Sequence, residues 1–163
     1  MRKSTTINTL LIICMLGIVT SAYLIKIHYS TSSSAFCNFS QSVNCDIVNK
    51  SDYSLFPPAF GIPVAILGLA GFLAAILLLM LIRKQQSLSF FDERITPRQL
   101  SNILFYLFLI SLVFAAYLLY IEAFILYSFC ILCLLLDLLI VAALILSHQL
   151  KNSRPERPWE LQG

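Results

Sequence analysis

Five cysteines are the residues whose type and spacing point to chemistry in this 163-residue sequence. Cys130 and Cys133 form a C-x-x-C, Cys37 and Cys45 form a looser pair, and Cys14 stands alone. On a helix, positions i and i+3 share a face at about 5–6 Å, which is within disulfide reach. A helix start also offers free N–H groups and the positive end of a dipole, which stabilise anions, thiolates among them. Thiolate is the attacking species in thiol–disulfide exchange. A dithiol placed so at a membrane edge would meet a lipid-soluble oxidant, an unusual position for a purely structural bridge. Two structural disulfides pinning loops are the plainer alternative. A four-cysteine zinc site fits less well, because the wider pair is loose for it and thiolates outside the cytoplasm tend to oxidise. Cys–His nucleophilic catalysis lacks a placed histidine, since His28 ends the first apolar run and His148 ends the last. Cys14 falls mid-run and reads as a small buried apolar residue.

The elements that must position these thiols are set by composition. The chain is 59% hydrophobic and only 12% charged, with a mean hydropathy of +0.86, against about 25% charge in ordinary soluble domains. A bilayer-crossing helix takes about 20 mostly apolar residues, and four stretches qualify: about 7–29, 60–82, 103–125 and 126–148. The last two are almost continuous, so the chain must turn back near Ala123–Ser128, where Tyr120 and Tyr127 suit an interface. The expected fold is therefore an all-α membrane bundle of four transmembrane helices over residues 1–150. A cysteine-bearing loop at 30–59 joins the first two, and 151–163 form a disordered tail.

Nine of the eleven Lys and Arg fall at the termini or between spans two and three, leaving Lys26 and Lys50 for the other side. This asymmetry predicts both termini in the cytoplasm and the 30–59 loop outside, with both cysteine pairs on that outer face. A cleaved signal peptide is disfavoured by the length of the first apolar core. A net charge of +3 without a basic cluster gives no nucleic-acid surface.

Leu126-Tyr127-Ser128-Phe129-Cys130-Ile131-Leu132-Cys133, with Tyr117-Leu118 before it, resembles the third-to-fourth helix signature of the vitamin K epoxide reductase family. Ser21-Ala22-Tyr23-Leu24, the Cys37/Cys45 loop, Ser51 and Phe60-Gly61-Ile62-Pro63 match in the same order. The resemblance covers about residues 7–148. It implies a four-helix bundle around a quinone, capped by the cysteine loop. Cys37 and Cys45 would be the shuttle pair accepting electrons from a thioredoxin-like partner, Cys45 would pass them to Cys130, and Cys133 would meet the quinone ring. Ser51 would lie near the ring, Phe60 would pack on it, and Leu118 would form pocket wall.

Animal members carry a tyrosine where Asp137 stands, and an asparagine where Pro57 stands. A simpler quinone of the ubiquinone or menaquinone type, in a bacterial inner membrane, is therefore the expected acceptor. Many bacterial relatives continue into a fused thioredoxin-like domain, so a thioredoxin-like or DsbA-like extracytoplasmic protein is expected to act in trans here. A DsbB-type oxidase carries its C-x-x-C in the first outer loop, the reverse of the order here. Operation as a quinone or quinone-epoxide reductase shares every residue, and a non-enzymatic scaffold is the rival from another class.

Two acids interrupt the apolar stretches, and intramembrane carboxylates are functional candidates because burial is costly. Asp137 lies i+4 from Cys133, on the same face one turn deeper. It faces the cofactor either as a proton source or as a neutral carboxyl hydrogen-bonded to a neighbouring helix, the second being favoured. Glu122 is expected to reach water at the outer end of span three. The tripeptides Asn38-Phe39-Ser40 and Asn49-Lys50-Ser51 match the glycosylation sequon by chance.

Overall fold

The computed structural model describes residues 3–31, 37–40, 42–56, 61–84, 88–90 and 93–152. Phe60, Pro57 and the tail from Ser153 lie outside the described residues. Four helices are long and apolar enough to cross a bilayer: α1 (Lys3–Tyr29), α3 (Val64–Arg83), α4 (Pro97–Phe124) and α5 (Ile131–Asn152). A short helix, α2 (Cys45–Asn49), and a 3-10 turn (Asp52–Ser54) lie in the connection between α1 and α3.

The chain runs up and down, with α1 against α3 and α5, and α4 against α3 and α5. Large apolar side chains such as Ile12, Val19, Ile110, Val113 and Leu138 point outward and stay exposed. In water such a surface would drive aggregation, whereas in a bilayer it is solvated by lipid. Helix contacts then rely on close packing of small residues, and Ala75 and Ala143 are fully buried. Gly17 sits so tightly against Phe72 that an added Cβ would lie 2.5 Å from the ring.

The α4–α5 corner differs from expectation. Leu126–Cys130 are not helical, and α5 begins at Ile131 rather than at Leu126. The end of α4 is closed by Ile125 and Leu126, whose N–H groups both donate to Ile121 O at 3.0 and 2.9 Å. Ser128 N–H donates to Glu122 O, and Tyr127 takes a left-handed backbone (φ 49°) that reverses the chain. Gly61 serves similarly before α3, at φ 62°, where a side chain would be strained.

Two short antiparallel ribbons were also absent from the sequence reading. The ribbon of β3 (Leu88–Phe90) and β4 (Glu93–Ile95) lies between α3 and α4. The ribbon of β1 (Asn38–Ser40) and β2 (Val43–Asn44) lies in the cysteine loop. These strands are too short and polar to show a period-two hydrophobic pattern.

Candidate functional site

Cys45 and Cys130 meet because two pieces of irregular chain are stitched together by backbone hydrogen bonds. Phe129 N–H donates to Ser42 O at 2.9 Å, and Asn44 N–H donates to Phe129 O at 3.1 Å, a parallel bridge of Val43 to Phe129. Cys130 follows this bridge directly and Cys45 lies two residues past Val43, so both are carried to the same place. Asn44 caps α2, its side-chain oxygen accepting from Asp46 N and Ile47 N at 3.0 and 3.1 Å. The cap fixes Cys45 as the first residue of that helix.

Cys37 and Cys45 form a disulfide with Cα atoms 5.6 Å apart. Cys130 Sγ stands 3.2 Å from Cys45 Sγ, and the sulfurs of Cys37, Cys45 and Cys130 all lie within 4.8 Å of one another. All three residues are buried in one cluster with Leu24, Ile27, Val48 and Ala65. Cys133 N–H donates to Cys130 Sγ at 3.3 Å, so the first turn of α5 supports negative charge on that sulfur. Such a row of sulfurs passes an electron pair by exchange, with one S–S bond forming as another breaks.

Cys133 opens onto a cavity of about 460 Å³ between the helices. Its walls are mostly apolar, with Phe72, Phe108, Phe114 and Leu136 among them, and its polar groups come from Asn49, Ser111, Cys133, Glu122 and Asp137. Leu118 and Asp137 line this cavity. Ser51 lies off the wall, its hydroxyl donating to Val48 O at 2.8 Å. Two other residues of the loop line the cavity instead. Phe56 packs edge-on against Phe114 of α4, ring centroids 5.5 Å apart. Asn49 is 4% exposed. Its amide donates to Leu24 O at 2.6 Å, and its backbone oxygen meets the His28 ring at 2.6 Å and the Ser54 hydroxyl at 2.8 Å. In the sequence Asn49 is one amide in a polar loop, indistinguishable from its neighbours.

Glu122 corrects an expectation. It does not reach water: it is 3% exposed, and Oε2 accepts the Cys130 N–H at 3.0 Å. It also shares the cavity wall with Cys133. The cause is the α4–α5 corner, which folds Ser128 to Cys130 back over the end of α4. Asp137 likewise departs from the favoured reading, since among the described residues no hydrogen bond ties its carboxyl to a neighbouring helix. Cys14 is fully buried in the apolar core of the opposite half.

Four membrane-crossing helices that hold two cysteine pairs in sulfur contact beside an apolar cavity define a membrane thiol–disulfide oxidoreductase. The profile of the vitamin K epoxide reductase family matches residues 8–148, and the chain belongs to that family. No curated protein matches the sequence at a significant level.

Proposed function

We propose that this protein reoxidises a thioredoxin-like protein outside the cytoplasm and delivers its electrons to a membrane quinone, supporting disulfide formation. The observation that carries this reading is the 3.2 Å approach of Cys130 Sγ to Cys45 Sγ, with Cys133 on the cavity wall. A quinone head is flat and apolar-faced with two acceptor oxygens. A cavity of about 460 Å³ with aromatic walls and a few polar groups fits it, in the usual size range for small-molecule sites. The charge asymmetry, with Arg83, Lys84, Arg98 and Lys151 at the helix ends far from the cysteines, supports termini in the cytoplasm and an outward-facing cysteine end in a bacterial inner membrane.

In this reading a partner dithiol reduces Cys37–Cys45 and leaves as a disulfide. Cys45 thiolate attacks Cys130 of a Cys130–Cys133 disulfide and releases Cys133. Cys37 thiolate then attacks Cys45, which re-forms Cys37–Cys45 and frees Cys130. The arrangement with Cys37–Cys45 joined and Cys130 and Cys133 free is the state that follows, with both electrons on the inner pair. A bound quinone supplies a two-electron acceptor there. Cys133 faces it, Leu118 shapes the wall, Asn49, Asp137 and Glu122 offer polar contacts, and Phe56 covers the outer side; Ser51 belongs to the same covering loop.

The test is a reconstitution. Purified protein in lipid, given a reduced thioredoxin-like protein and a short-chain quinone, should bleach the quinone absorbance, and alanine at any of Cys37, Cys45, Cys130 or Cys133 should stop it. Full quinone reduction by a variant lacking Cys45 would overturn the proposed route.

A further inference from the structure

Glu122 is a buried carboxylate that meets the Cys130 backbone and lines the cavity beside Cys133. Its Oε2 accepts the Cys130 N–H at 3.0 Å, and it shares the cavity wall with Cys133. The other ionisable side chains on that wall, Cys133 and Asp137, both belong to α5, and neither is a cation that could make an ion pair of Glu122. A carboxylate buried only for structure would be an expensive way to cap one N–H, because an amide accepts the same bond without a charge.

We propose that Glu122 carries protons from the inner thiols to the reduced quinone. The inference rests on the function proposed above. Cys130 and Cys133 together lose two electrons and two protons as their S–S bond forms, and the quinone gains both, becoming the hydroquinone. The Cys133 proton passes to the Glu122 carboxylate and from there to one quinone oxygen. Cys130 then loses its proton as its sulfur closes on Cys133, and this second proton takes the same carboxylate to the other oxygen. Glu122 ends ionised as it began, and no other co-reactant is needed. Cys130 is fully buried, so the carboxylate bonded to its backbone replaces water as the nearby proton acceptor.

Glu122→Gln separates this role from positioning, because the amide oxygen still accepts the Cys130 N–H but cannot take up a proton. Two readouts are compared. In quinone-free, reduced protein, the alkylation rate of Cys133 by a membrane-permeant maleimide reports how readily its proton leaves. In the reconstituted assay, the quinone-reduction rate reports the whole transfer. E122Q should slow alkylation about tenfold and quinone reduction about 100-fold, the lower end for loss of a general acid–base group. Reduction of the Cys37–Cys45 disulfide by the partner, which precedes any step at Cys133, should stay near the wild-type rate. E122D should recover quinone reduction to within about tenfold of wild type.

Wild-type rates for E122Q in both assays would overturn the proposal, as would a loss appearing in D137N and not in E122Q. If wild type reduces no quinone while Cys133 alkylation still depends on Glu122, the function proposed above fails and proton acceptance by Glu122 stands. Should E122Q not accumulate in membranes, the pair E122D and E122N decides: at least tenfold faster alkylation with Asp supports the role, and equal rates overturn it.

Discussion

The two halves of the bundle solve opposite problems with the same four helices. Away from the cysteines, Ile7, Leu10, Leu79, Ile82, Leu100 and Leu150 close into a core with Ala75 and Ala143 at its tightest points. The buried polar residues there are Thr6, Ser101 and Ser147, hydroxyls short enough to return to backbone, as Ser147 does to Leu144 O. At the cysteine end the helices leave room, and the space is occupied by α2, sulfur and a cavity. Here the buried polar groups include an amide and a carboxylate, Asn49 and Glu122, beside the hydroxyls of Ser54 and Ser128. One half sets the spacing of the helices, and the other uses that spacing to hold reactive groups away from water.

The sharpest way to break this comparison is to freeze the reactive half. In a variant combining Cys37→Ala with Cys133→Ala, only Cys45 and Cys130 remain of the four. They should oxidise to one another almost completely, because their sulfurs already stand 3.2 Å apart. Quinone-linked turnover should vanish. Peptide mapping without reductant measures the link, and a predominance of free thiols under mild oxidant would mean that the bridge of Val43 to Phe129 does not hold the pair together.

A smaller effect is expected from the scaffold half. Gly17→Ala puts a Cβ against the Phe72 ring at 2.5 Å, so a ring that belongs to the packed core and also lines the cavity must move. Overpacking of this kind costs about 1–3 kcal/mol, seen as a lower midpoint of thermal unfolding in detergent. The yield of the Cys45–Cys130 link in the double-cysteine background should be unchanged at temperatures where the protein is folded. A large fall in that yield would show that the halves are coupled, and that the division drawn above is wrong.

The scaffold half was readable because lipid-facing helices announce themselves by length and apolarity, and because Lys and Arg mark their ends. The thiols were readable as a pair of pairs, and the family resemblance supplied the order in which they act. What stayed hidden was whatever depends on chain far away in sequence. The corner at Leu126–Cys130 sits inside an apolar stretch that runs from Ile103 to Ser147, and no hydropathy signal marks where helix gives way to bridge. Its backbone is instead satisfied by Ser42 and Asn44. Burial of Glu122 follows from that same corner, so it could not be read from a position near the end of an apolar run. Asn49 and Phe56 turn inward only because a hydrogen bond to Leu24 and a ring contact with Phe114 hold the loop over the bundle.

The smallest expected difference is the most discriminating for the loop. Ser51 and Asn49 lie two positions apart, yet the Ser51 hydroxyl is spent on Val48 O while Asn49 forms part of the cavity wall. Losing the Asn49 side chain removes the bond to Leu24 O, worth about 1 kcal/mol, and frees the loop above the cavity. Asn49→Ala should therefore raise the KM for a short-chain quinone about fivefold, by the same energy read as a ratio. Ser51→Ala removes a local bond within one turn of the loop and should change KM less than about twofold. Steady-state quinone kinetics on the two variants make the test. If Ser51→Ala proves the more damaging, the ring lies under Ser51, where the family resemblance would put it, and the loop must shift when quinone binds. If neither changes KM, the quinone is held by the helices alone, and the loop serves only to bring Cys45 to Cys130.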